Sequence, residues 1–115
     1  AVCGAPLVAA WNNDVQAKLL ATGQFATVSI VNVAAVTPTL PELLAFDAVL
    51  VFSDFPSYSD AVALGNVMAN YVDAGGGVVC MMFETGGITM QGRWETQAYY
   101  AIPRAGQFQD TMATL

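Results

Sequence analysis

The chain has 115 residues, a formal net charge of −6 with three basic residues (Lys18, Arg93, Arg104), and no histidine. That balance argues against nucleic acid and anionic membrane surfaces, whose phosphates call for clustered Lys and Arg. The missing histidine removes Ser–His and Cys–His catalytic pairs and argues against zinc and copper sites. Hydrophobic residues make up 56% of the chain and charged residues 10%, against the ~25% charged residues of an ordinary domain. One domain of this length is therefore expected to leave apolar surface uncovered, which commonly marks a partner site.

In chain order, Pro6 to Trp11 (PLVAAW) is a short apolar run that predicts the first strand. Asn12-Asn13-Asp14 then opens a helix. Either asparagine can cap it by accepting a bond from a free backbone N–H, and Asp14 favours its positive end. Val15, Leu19 and Thr22 fall on one side with Leu20 nearby, and Gly23 ends the helix. Ala26 to Val33 (ATVSIVNV) is β-branched and partly alternating, which suits an edge strand. A short helical turn spans Pro41 to Ala45, with Pro41 at or near its start.

Asp47 to Ser53 (DAVLVFS) is continuously apolar in its middle, as in a strand covered on both faces. After the DFPSYSD loop, Ser59 or Asp60 caps a longer helix. Its apolar stripe is Val62, Gly65, Met68, Ala69 and Val72, widened by Ala61 and Leu64. Gly75, Gly76 and Gly77 end it, since glycine reaches left-handed angles cheaply. VVCMMF (Val78 to Phe83) reads as a second buried strand. Strand and helix alternating in this way predict a parallel sheet with helices on both faces. After Gly87 the pattern breaks, so the domain divides into a core over 1–87 and a tail over 88–115 that reads as short irregular strands or a long loop. No apolar run approaches the ~20 residues that cross a bilayer. The opening Ala1-Val2-Cys3 fits a processed terminus or the cut end of a longer chain.

FDAVLVFSD, a helix, then NYVDAGGGVVCMMFETGG together resemble the class I glutamine amidotransferase-like superfamily. The texture is closest to its trehalose-utilisation-like branch and related secreted bacterial modules. The resemblance covers Leu7 to Gly87, and its most specific part is the Y-V-x-x-G-G-G helix end leading into a strand. It implies a flavodoxin-like three-layer α/β sandwich with more sheet and helix than the 28 residues after Gly87 provide, so either the domain is a shortened version or another chain completes it. In catalytic branches it implies a nucleophilic cysteine in the turn after the strand that follows the glycines, where a helix N-terminus lowers the thiol's pKa. In the trehalose-utilisation-like branch a histidine stands near that place. This chain puts Met82 or Phe83 there, with Cys80 two residues too early, and has no later histidine. The resemblance thus implies a fold without its catalytic apparatus.

Cys80 reads as a small buried apolar side chain rather than a nucleophile. Cys3 and Cys80 read as two free thiols, since the implied strand order does not make their segments neighbours. Oxygen-bearing residues gather at the expected carboxyl ends of strands: Asn12, Asn13 and Asp14, then Ser53 and Asp54, then Glu84 and Thr85. Open α/β sheets bind ligands there, and Asp14, Asp54 and Glu84 suit a hard cation such as calcium. The competing reading makes them helix caps, turn residues and solvated charges. The glycine clusters fit neither phosphate-loop nor dinucleotide patterns. Trp94, Tyr99, Tyr100 and Phe108 read as residues that cover a sheet edge or anchor an interface.

Two functions follow as expectations. One is a non-catalytic structural or interaction module, extracellular or on a cell surface. It would assemble with copies of itself, as far as filaments, or with partner chains. The other is a ligand- or calcium-binding, hydrolase-like domain using Asp54 and Glu84 as an acid–base pair.

Overall fold

The computed structural model describes residues 1–54, 57–81 and 88–101. Over these residues the chain runs β1 (Val2–Ala5), α1 (Ala10–Ala21), β2 (Ile30–Asn32), α2 (Leu40–Leu43), β3 (Ala48–Ser53), α3 (Ala61–Asp73), β4 (Gly77–Cys80) and α4 (Arg93–Thr96). The four strands form one all-parallel sheet in the order β2-β1-β3-β4. This is the α/β sandwich expected, with the first four strands of the flavodoxin-like order.

Side chains alternate across that sheet. Cys3, Ala5, Val49, Val51, Val78 and Cys80 turn to one face and join a core built with Leu43, Leu64, Met68, Tyr71, Met90 and Trp94. Val2, Gly4, Leu50, Phe52 and Val79 turn to the other, by the strand period of two. The first face is covered by α3 with α2 and α4. The second carries α1, which packs over β1 and β2.

The first strand is Val2–Ala5 and not Pro6–Trp11. Proline has no N–H to give a neighbouring strand, and the run it opens is split: Leu7 and Val8 are exposed in the loop, while Trp11 lies in the first turn of α1. Cys3 is accordingly inside a strand rather than ahead of one. The strand is short, but all four of its residues are buried, a tertiary fact that four small residues do not advertise. The expected caps also move. Ala9 occupies the N-cap of α1 with no side-chain bond. Asn12 and Asn13 therefore sit inside the helix, and Asp14 lies beyond its first turn. At the other end Gly23 takes φ +69° just after the helix, as expected of a glycine terminator.

Asp60 caps α3 by accepting from the N–H groups of Val62 (3.0 Å) and Ala63 (2.9 Å). The buried stripe is Leu64, Gly65, Met68, Ala69 and Tyr71; Val62, expected in it, is exposed. Gly65 is fixed by close approach: a Cβ there would stand 1.8 Å from the Gln91 carbonyl oxygen. Tyr71 is anchored by its hydroxyl, which donates to the Phe46 carbonyl at 2.6 Å.

Two further expectations change. VVCMMF is not a strand buried on both sides. Among the described strands β4 is the edge, with Val79 58% and Met81 42% exposed; Met82 and Phe83 lie outside the described residues. The start of the tail is also more ordered than a loop. Thr89 and Met90 are buried, and α4 docks on α3. Its Arg93 backbone N–H donates to Asn66 (2.8 Å), and its guanidinium bonds Asp73 (2.7 Å) and Asn70. The Tyr99 hydroxyl donates to the same Asp73 carboxylate at 2.5 Å. Trp94 is buried, stacked on Tyr99 with centroids 5.4 Å apart and met edge-on by Tyr100 at 6.0 Å. These aromatics close the core of their own chain. Phe108 lies outside the described residues.

Candidate functional site

The cysteines are placed by register. Cys3 pairs with Val51, and Val51 with Cys80, so one row across the sheet holds all three. Two strand spacings of ~4.8 Å separate the thiol-bearing backbones, beyond the ~7 Å a disulfide can span. Both thiols are free. Burial pushes Cys3 up to about 12, with the chain's amino group opposing, and burial pushes Cys80 up to about 11. A thiol held neutral in the core is a poor nucleophile.

The oxygen-bearing residues divide. Asp14 is on the exposed side of α1 in an i,i+4 ion pair with Lys18 at 2.7 Å, a contact worth little in water. Asp54 follows β3, half-buried, its N–H donating to the Ala5 carbonyl at 3.1 Å. Ser53 is buried and its hydroxyl donates to the Ile88 carbonyl at 2.6 Å, which ties β3 to the segment after β4. Glu84 and Thr85 lie outside the described residues. Among the described residues no three of Cys, Asp and Glu gather as a metal-holding group. Asn12, expected as a cap or ligand, is 4% exposed and packs beneath β1. Its amide makes a long 3.5 Å bond to the Gly4 carbonyl and its Oδ1 has no partner. A Cβ at Gly4 would come within 1.9 Å of that Oδ1, so glycine here is what lets α1 lie on the sheet.

The feature that sequence reasoning left unlocated is the uncovered half of the α1 face. Beside α1, over β3 and β4, an apolar groove of about 290 Å³ opens at the amino ends of the strands. Ala48, Leu50 and Val79 form its floor, Leu19, Phe25 and Val28 one wall, and Phe46 another, with Asp47 on the rim. One signal could have found it. The face-two residues of β3 and β4 are all apolar, whereas the described helices place one element over that face and three over the other. Composition foretold uncovered apolar surface; the topology says where it is.

Among the described residues, no strand pairs with the edge next to the groove. The Met81 N–H donates to the Val51 carbonyl, so the amides of Val79 and Met81 face β3 while those of Val78 and Cys80 face outward. Neither proline nor charge interrupts Gly77–Cys80, the usual means of blunting an edge.

Over the described residues the fold and site thus define an all-parallel α/β sandwich with four strands, flavodoxin-like in strand order, and with described helices over only half of one face. Comparison of the chain with protein-family models, with curated proteins and with solved structures finds no match. No described helix is long and apolar enough to cross a membrane.

Proposed function

We propose that the protein is a non-catalytic structural or interaction module, which self-associates or binds partner chains through the open half of its sheet and the neighbouring β4 edge. The observation that carries this reading is the groove over β3 and β4, apolar on its floor and both walls and continuous with exposed Val79. Leaving such a surface in water costs roughly 25 cal/mol for every Å² that a partner could cover. The thiols support the same reading: Cys3 is buried and Cys80 half-buried, and burial raises both above an ordinary thiol. An extracellular or cell-surface setting is part of the proposal. It rests on a composition poor in lysine and rich in Thr, Asn, Gln and Gly, and on the resemblance to secreted modules.

Size-exclusion chromatography with light scattering, from micromolar concentration upward, tests it. The expected mass exceeds that of one chain and rises with concentration, and Val79→Asp lowers it. A particle that stays monomeric across the whole range overturns the reading.

A further inference from the structure

Residues 88–101 lie against α3, and their attachment is uneven. The first stretch is pinned: the Ile88 carbonyl accepts from Ser53, the Gln91 N–H donates to the Ala61 carbonyl at 2.9 Å, and Thr89 and Met90 are buried. Gly92 follows at φ +62°, a setting that glycine reaches without strain, and marks a pivot. Beyond it, residues 93–101 are bonded to α3 through one polar stripe. Asn66, Asn70 and Asp73 stand at i, i+4 and i+7, on one side of the helix. Arg93 bonds all three, by its backbone N–H at Asn66 and its guanidinium at Asn70 and Asp73. Tyr99 adds a second bond to Asp73.

Two features oppose this docking. The Trp94 indole N–H is buried with no acceptor, so burying the ring carries the penalty of an unmade bond. Ala98 takes φ +58°, a left-handed setting that strains a residue with a Cβ. Both costs vanish if 93–101 swings away, so the gain from burying Trp94 is partly offset and the polar stripe tips the balance. Asp73 is moreover the last residue of α3, where the helix's negative end disfavours a carboxylate, and α3 has no basic residue in that turn. An aspartate there works against its own helix and for Arg93 and Tyr99. Those two are also the titratable groups that act on it, and Glu95, the other carboxylate of the segment, is not among them. Arg93 and Tyr99 are both held above their ordinary values, so in acid Asp73 alone changes charge in this cluster.

We propose that residues 93–101 form a strap that pivots at Gly92 and swings off α3 as a unit, with the ionised Asp73 carboxylate as its catch. Above the ordinary carboxylate range the strap is shut. As pH falls through the depressed value of Asp73, the catch loses its charge. The strap then opens and Trp94 enters water, while the sheet, α1 and α3 stay folded. Local opening of this kind, ahead of global unfolding, is drawn from the least secured part of a structure. Nothing in this device depends on the groove or on what covers it, because the strap lies on the opposite face of the sheet.

Trypsin reads the strap at neutral pH, since cleavage after Arg93 needs the strap unfolded and cleavage after Lys18 needs α1 unfolded. The Asp73 side chain is 49% exposed, so Asp73→Asn is expected to keep the parent's circular dichroism. In that variant cleavage after Arg93 is expected to be about tenfold faster, the scale of one lost charge-assisted bond, and cleavage after Lys18 unchanged. The acid arm leaves the strap's own residues intact. Trp11→Phe removes the other, exposed tryptophan and makes Trp94 the reporter. Acrylamide quenching of Trp94 is then expected to rise as pH falls below about 4, before the far-ultraviolet circular dichroism changes. Cuts after Arg93 and Lys18 that quicken together, or an Arg93 cut no faster than the parent's, overturn the strap. So does Trp94 quenching that rises only as the helix signal is lost.

Discussion

The two faces of this sheet are made from the same short strands and end differently. On the α3 face, Val49, Val51, Val78 and Cys80 meet Leu64, Met68 and Tyr71, with Met90 and Trp94 closing the far side. On the α1 face, Leu50 and Val79 are equally apolar, but the one described helix there lies over β1 and β2. The contrast teaches that apolar strand residues do not by themselves say whether a face is core or contact surface. The number of helices available to each face decides it. β3 shows the point within six residues: Val49 and Val51 are fully packed, while Ala48 is exposed and Leu50 only partly covered.

Substitution on the packed face should give the largest effect. Met68 is completely buried, and Met68→Ala is expected to cost about 2–5 kcal/mol, lost burial plus a cavity, measured by urea unfolding. A cost within ~0.5 kcal/mol, the range of ordinary surface changes, would mean that the α3 face is no better packed than its opposite. The thiols probe the same face without mutation. Native protein is expected to leave Cys3 and Cys80 unmodified by a thiol reagent near neutral pH, and denatured protein to react at both. Stability should follow the same sign. The folded thiols sit at about 12 and about 11, above the ~8.5 of a free cysteine. Their contribution is therefore complete below that value and is lost as pH rises through the folded range. Thermal melts that do not weaken between neutral pH and strong alkali would contradict their burial.

A smaller effect comes from the bonds that hold α4 on α3. The Tyr99 hydroxyl and the Arg93 guanidinium hold the Asp73 carboxyl below its ordinary value. A depressed carboxyl contributes stability above its unfolded value and loses it as pH falls through the folded one. The melting temperature is expected to drop below about pH 4, the unperturbed aspartate range, and Tyr99→Phe is expected to flatten that drop. An identical acid limb in the variant would remove this role for the bond. The smallest expected effect is Val79→Ala, within ~0.5 kcal/mol on the stability of the isolated chain. Val78→Ala, one residue earlier and facing the core, should cost more. If the two are reversed, the assignment of faces is wrong.

Much of the fold could be read from local signals. The Asp60 cap, the glycine ends of α1 and α3, the edge placement of the ATVSIVNV segment and the parallel order all rest on rules that act within a few residues. The failures have tertiary causes. β1 lies earlier than the apolar runs predict because VCGA carries little β-branched character and becomes a strand by being enclosed between β2 and β3. PLVAAW reads as buried because apolar runs usually are; here Leu7, Val8 and Trp11 face water at the start of a helix. The aromatic tail predicts edge cover or an interface, and Trp94 instead completes the core, since nothing in its neighbours' sequence reveals that Gly65 leaves room for Gln91 beside α3. Among candidate site residues, the unpaired state of Cys3 and Cys80 is legible. The pairing of Asp14 with Lys18 needed only helical spacing, and the burial of Asn12 needed the position of Gly4.

By itself the sequence determined the class of fold and the surplus of apolar surface, because periodicity and composition act locally and add along the chain. It likewise determined that these 115 residues bring no histidine of their own to a site. Only the tertiary structure decided where the surplus lies, which strand forms the open edge and which aromatics close the core. Those outcomes depend on how many helices cross to each face of the sheet, a property of the chain's path through space that no window of residues contains.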